Sequence, residues 1–497
     1  MHTTLRRLTS FLLMTILCAS ILEISAVAKK KPKRRSRTKI AKGIPMVLVP
    51  VIPSAITTEN IRPTQTQDPP QTQSRGTITA NAIRPGFTSQ PVRADVPTVN
   101  ATATAGQLII SEFRLRGPGL VSPPAPAGTE PLDEFIEIYN ASGADHTVAA
   151  ASGTGYGIAA SDGVTRCTIP NGQIILNKTH FLCANSAGFS LSGYPAGNLP
   201  VGSGDATYTT DIPDNVGIAL FNNNTGGASY SLANRLDAVG STSEANTVYK
   251  EGTGYPALTP LNIDYSFVRD TCGKGGSVTA FGPCTLNGLP KDTGNNAADF
   301  IFVDTAGTNT AAGQRLGTPA PESLFSPIQR NSAATLSLLD PCAAAVSSPN
   351  RVRDLTSDPG NNSTFGTMEI RRTITNTTGS NIVRLRFRLV DVTTSPVPAG
   401  IADLRARTSS DGMVTVDRAP CGSGNSSITV LGTTLEDRFL FGAPAFQPNG
   451  GGLNSSLSAP VGFLTAIPPG GSIDVRFLLG VQLTGTFKFY VNVEALP

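Results

Sequence analysis

The sequence predicts an all-β protein built from two β-sandwich domains. Three observations lead there: 50 glycines and 38 prolines among 497 residues with no tryptophan; short apolar segments recurring between Gly, Pro, Asn and Asp; and no long segment with apolar residues at i, i+3, i+4 and i+7, as a helical domain would need. A chain of this length exceeds one ordinary core, so two folded domains beside unfolded segments are expected.

Residues 1–28 have the anatomy of a secretory signal: Arg6 and Arg7, an apolar stretch from Leu8 to Ile24, then Ala26-Val27-Ala28, with cleavage expected after Ala28. Bulky Leu17 before Cys18 argues against a lipid-anchored cysteine, and no later apolar run is long enough to span a bilayer. Residues 29–104 form the next segment. It opens with KKKPKRRSRTKIAK (Lys29 to Lys42) and continues as a Pro/Thr/Gln-rich stretch that cannot bury enough apolar surface to order itself. The formal charge is +4 overall, of which Lys29–Lys42 holds +9 and the leader +1, leaving −6 for the rest. The basic run is therefore a candidate contact for anionic envelope polymer or lipid, or else a solvated tail. Export argues against nucleic acid as its partner.

With the leader removed, six cysteines remain: Cys167, Cys183, Cys272, Cys284, Cys342 and Cys421. An even count in an exported chain points to disulfides, and fifteen pairings are possible in principle. Pairing by neighbours is preferred: Cys167 with Cys183, Cys272 with Cys284, Cys342 with Cys421. A structural zinc on four cysteines is the rival, but no CxxC knuckle pair is present.

Order is expected from GQLIISEFRLRG onward, through DEFIEIYN, GYGIAASDG, TIPNGQIIL, THFLCANSAGFSLSGY, DIPDNVGIALFN and NRLDAVG. In order, LIISEF, EFIEIYN after a Gly/Pro-rich loop, SDG, IPNGQIIL, HFLCAN and RLDAVG resemble the lamin-tail domain of exported bacterial proteins, and QRLGTPAPESL resembles the close of that module. The resemblance covers about Ala105 to Gly240 and sets the first domain at 105–325, with a long insertion before its last strands. It implies an immunoglobulin-like β-sandwich used as a structural or binding module, without catalytic residues to transfer. Gly155-Tyr156 stands where that family often has Gly-Trp, so Tyr156 would fill the slot only if its hydroxyl finds a partner.

Residues 326–497 are expected to form the second sandwich, also of immunoglobulin-like type. IVRLRFRLV alternates, with Leu385, Phe387 and Leu389 inward and Arg384, Arg386 and Arg388 outward. Phe487, Phe489, Val491 and Val493 share one face, and Ile473, Val475, Phe477 and Leu479 supply another inward row. The arginine row reads either as a ladder for an anionic polysaccharide or, preferably, as structural, opposed by Asp474 and Glu494.

Catalytic chemistry is sparse. After the leader only His146 and His180 remain, and there is no G-x-S-x-G elbow, HExxH helix or phosphate-cradling GxxxxGK[ST] loop. The notable feature is DEFIEIYN, where period 2 puts Phe135, Glu137 and Tyr139 on one face and Ile136 and Ile138 on the other. If the SEF and EFIEIYN strands are neighbours, Glu112 and Glu137 face each other, and Arg114 and Arg116 are the nearest candidates to relieve their repulsion. Glu112 and Glu137, with Asp292, Asn295 and Asp299 of KDTGNNAADF, are weak candidates for calcium, although an EF-hand spacing is lacking. The preferred expectation is an exported or envelope-associated non-enzymatic module with a polysaccharide or protein ligand and no cofactor. The alternative is a secreted hydrolase or carbohydrate-binding accessory protein, calcium-dependent in one form, with Glu112 and Glu137 as its acids.

Overall fold

The computed structural model describes residues 98–99, 101–119, 129–190, 204–436 and 451–496. The expected signal peptide, basic run and most of the linker lie outside the described residues. The described chain is almost wholly β, its one α-helix being the single turn Asn296–Asp299, and all of it falls in one compact unit. No helix among the described residues is long and apolar enough to cross a membrane.

Two hydrophobic cores organise this unit. In the N-terminal half, a six-stranded sheet runs in the order Phe300–Asp304, Tyr265–Arg269, Leu108–Arg114, Phe135–Asn140, His180–Asn185, Ala206–Tyr208. A four-stranded sheet, Arg235–Val239, Ile218–Phe221, Gly155–Ala160, Thr165–Pro170, shares its core. Ile136, Ile138 and Phe181 from the larger sheet meet Ile158, Ile169 and Leu220 from the smaller, which makes a sandwich. The Cys167–Cys183 disulfide ties one sheet to the other.

One irregularity in this half sets the rest. Simple alternation along LIISEF would put Glu112 on the core face with Leu108 and Ile110. A register shift between Ile110 and Glu112 leaves Ser111 as the extra residue, so that Ile110 and Phe113 both enter the core while Glu112 comes to lie directly opposite Glu137 on the outer face. Burying a phenylalanine in place of a carboxylate favours the bulged register by several kcal/mol, on the order of 2 for the ring alone.

The C-terminal half pairs a five-stranded sheet (Ile328–Gln329, Phe489–Leu496, Arg384–Val392, Ser456–Ser458, Thr434–Leu435) with a larger one built on Thr367–Asn376 and Ser472–Leu483. Leu385, Phe387, Leu389, Phe477, Leu479 and Val493 fill the space between, with the Phe387 and Phe477 rings edge to face at 4.8 Å. The inward rows expected from alternation are thus the core rows. The cysteines pair as Cys167–Cys183, Cys272–Cys284 and Cys342–Cys421. The second bridge closes the loop that contains GKGGS, and Lys274 of that loop reaches Asp391 of the C-terminal half at 3.0 Å. Nearby, Gly288 has φ +80° and Asn492 lies against it, and both demand glycine: a Cβ there would fall 1.9 Å from Asn492 Oδ1.

Candidate functional site

The outer face of the six-stranded sheet and the outer face of the five-stranded sheet meet in a seam of charged side chains. Glu137 and Tyr139 come from Phe135–Asn140, and His180 is the cross-strand partner of Tyr139. Glu112 lies across from Glu137. From the C-terminal half come Arg386 and Arg388, with Glu494 directly opposite Arg386 on the neighbouring strand. Glu322, in the segment between the halves, lies over both.

Each acid is held by several groups. Glu112 accepts from Ser266 Oγ at 2.6 Å, from the Ala320 N–H at 2.9 Å and from Asn454 Nδ2 at 3.1 Å. Glu137 accepts from the bulge residue Ser111 through its hydroxyl and from the Glu322 N–H at 2.5 Å. Arg386 pairs with Glu494 at 2.5 Å and with Glu322, while Arg388 reaches Glu322 at 3.1 Å and Glu494 at 3.3 Å. His180 Nδ1 lies 2.9 Å from Glu322 and its Nε2 3.7 Å from Glu137. Glu112 and Glu137 are 2% and 4% exposed, Arg386 0% and Arg388 7%. The arginine row points away from its own core as alternation requires, yet it is covered by the other half, so Arg386 and Arg388 are not a surface ladder.

Burial dominates the electrostatics. It raises Glu112, against the hydrogen bond from Ser266, and raises Glu137 to about 7, with His180 opposing and Glu112 adding to the rise. Burial lowers His180 despite the neighbouring Glu137. Burial would raise Glu494 as well, but Arg386 and Arg388 outweigh it and hold that carboxyl below its ordinary range. The seam borders a partly open cavity of about 50 Å³, lined by Glu112, Glu137, Tyr139, His180, Arg388 and Glu494 among others. That is room for a few waters.

The arginines expected to relieve Glu112 and Glu137 serve other acids. Arg114 pairs with Asp133 and, at 2.9 Å, with Asp264; Arg116 pairs with Asp214 at 2.8 Å. Of the two acids expected to oppose the arginine row, Glu494 does so, whereas Asp474 pairs with Arg418 at 2.7 Å on the other sheet. The remaining carboxylates of DEFIEIYN also go separate ways. Asp133 accepts from Arg114, Ser190 and the Gly119 N–H, and Glu134 accepts from the Ile212 N–H and Asn185 Nδ2, each at 2.8 Å.

The calcium candidates fall in two places. Glu112 and Glu137 face each other, while Asp292 and Asp299 both approach Nη1 of Arg269, at 3.4 and 3.6 Å. Asp299 also accepts from Thr293 Oγ1 and N–H, and Asn295 Oδ1 from the Thr253 N–H. These oxygens face protein donors, a guanidinium among them. Glu137, His180 and Glu322 each place a donor atom within 4.8 Å of the other two, as do Asp292, Asp237 and Glu251. His180, Glu322 and Asn454 were invisible as site residues in the sequence, because their meeting depends on how the two halves pack. No family model, curated protein or solved structure matches the chain.

Two predictions follow from these burials. Arg386→Ala leaves Glu322 and Glu494 short of a cation in a dry place and is expected to cost roughly 3 to 5 kcal/mol of unfolding free energy. Arg116→Ala breaks a pair that is 18% and 21% exposed and is expected to cost roughly 1 kcal/mol or less. Equal losses in urea unfolding would contradict the distinction. The second concerns Glu134, which burial pushes up to about 8, with Asp211 adding and the Asn185 and Ile212 bonds opposing. A raised carboxyl binds its proton more tightly in the folded state. Its stabilising contribution is complete below the ordinary carboxylate range and is lost as pH rises through about 8. The unaltered protein should therefore lose stability relative to Glu134→Gln between about pH 5 and 8, by at most about 1.4 kcal/mol per pH unit. Urea midpoints with equal slopes in both proteins would refute this.

Proposed function

We propose that the chain is an exported, non-catalytic structural and binding module of lamin-tail type, held at the cell envelope by Lys29–Lys42. The observation that carries this reading is the closure of Glu112 and Glu137 inside the seam. Carboxylates that hydrolyse a glycoside flank an open cleft, roughly 5 to 9.5 Å apart, with room for a sugar between them. Here both acids accept hydrogen bonds from residues that join the two halves, beside a cavity of about 50 Å³, far below the roughly 300 Å³ at which ligand pockets begin. Their part in the molecule is to hold it together.

Three disulfides support an oxidising compartment, as export would provide. In the lamin-tail reading Tyr156 stands in for the tryptophan, which requires a partner for its hydroxyl; that buried hydroxyl accepts from the Ala103 N–H at 2.7 Å and lies 3.1 Å from His146 Nε2. In this reading the basic run is the attachment and the Pro-rich linker the spacer.

Attachment through a dense positive run is screened by salt. Deleting Lys29–Lys42 is expected to release the exported protein from isolated envelopes in a co-sedimentation assay, with thermal unfolding nearly unchanged. Retention of the deleted protein, insensitive to salt, would show that a folded face makes the contact instead.

A further inference from the structure

The seam holds more carboxyls than its arginines pair. Five buried ones (Glu112, Glu137, Glu322, Glu436, Glu494) gather around the guanidiniums of Arg384, Arg386 and Arg388. Two carboxyls are left without a guanidinium of their own. The geometry of that excess is specific. Arg386 and Arg388 both approach one oxygen of Glu322, Oε1, which turns its Oε2 toward His180 at 2.9 Å. Glu137 approaches the other ring nitrogen, Nε2, at 3.7 Å, so the two acids flank the imidazole. One donor from each of the three residues falls within 4.8 Å of the others.

A second, independent feature points to a missing ligand. Tyr139 lines the same cavity, and its hydroxyl is buried with no hydrogen-bond partner among the described residues. Buried hydroxyls are nearly always satisfied, so an orphan one marks a place where something else belongs. Its ring packs on His180 with centroids 5.1 Å apart, which fixes both side chains at the cavity wall.

We propose that Glu137, His180 and Glu322 form a binding site for a divalent metal ion of the zinc type, set between the two halves, with Tyr139 beside it. One imidazole and two carboxylates suit an ion that accepts nitrogen and oxygen together and is content with three protein ligands and a water. Calcium prefers six to eight oxygens and suits neither the imidazole nor so small a cavity. A divalent ion also supplies positive charge to carboxyls that no guanidinium reaches, and water carried with it supplies a partner for Tyr139. The site joins a strand pair of one half to the segment that leads into the other, so the ion would act as a clasp.

The test uses the full exported protein without an affinity tag, stripped by chelator and titrated with Zn²⁺ by calorimetry, with X-ray absorption of the loaded sample. The expected result is one ion per chain in a nitrogen and oxygen shell at roughly 2.0 to 2.2 Å that includes imidazole. Tyr139→Phe should weaken binding about tenfold, and His180→Asn by at least the roughly 100-fold upper range of outer-shell losses. Circular dichroism of each metal-free variant shows whether it is folded. The proposal is overturned if the folded parent protein takes up no zinc at one per chain, if the shell lacks imidazole, or if folded His180→Asn binds as tightly as the parent. Should His180→Asn fail to fold, Tyr139→Phe and the absorption spectrum decide: unchanged affinity together with a shell free of imidazole overturns it.

Discussion

Carboxylates cannot stay buried without donors, and this constraint ties the molecule together. Glu112 and Glu137 occupy the outer face of one sandwich, where an isolated domain would leave them in water. Covered, they need hydrogen bonds from the connecting segment, supplied by the Ala320 and Glu322 N–H groups, and from Asn454 of the other half. The same cover buries Arg386 and Arg388, whose partners are Glu322 and Glu494. Neither half satisfies its own outer face. A buried ionic seam adds little stability over a well-packed apolar one, but it penalises any misplacement heavily, because each displaced group strands a charge. What the seam secures is a single relative placement of the two sheets.

Small backbone features support this. The bulge at Ser111 turns Glu112 outward, and its hydroxyl then serves Glu137. The loop closed by Cys272–Cys284 delivers Lys274 to Asp391, which also holds Lys488 at 2.8 Å.

Much of the fold was legible. Alternation placed Phe387, Val475, Phe477 and Val493 in a core, and Ile136 and Ile138 opposite Glu137, because a strand's two-residue period is a local property. The neighbour pairing of the cysteines proved right, and Glu112 does face Glu137. The partners of those acids were not legible. Arg114 and Arg116 were near in sequence, but their strand end points them to Asp133, Asp264 and Asp214, while the real donors lie up to 342 positions away. Alternation says which face a side chain takes and cannot say whether that face meets solvent or another sheet. For the same reason the outward arginines left a surface ladder open beside the preferred structural reading, in which Glu494 does oppose them.

The seam makes the two halves one cooperative unit. Native-state hydrogen exchange tests it directly, by comparing the opening free energies of amides in Phe135–Asn140 and in Arg384–Val392. The account predicts equal values in the unaltered protein, and in Glu494→Gln a drop that both strands share to within about 0.5 kcal/mol. Opening energies that differ between the strands from the start, or a drop confined to Arg384–Val392, would contradict it.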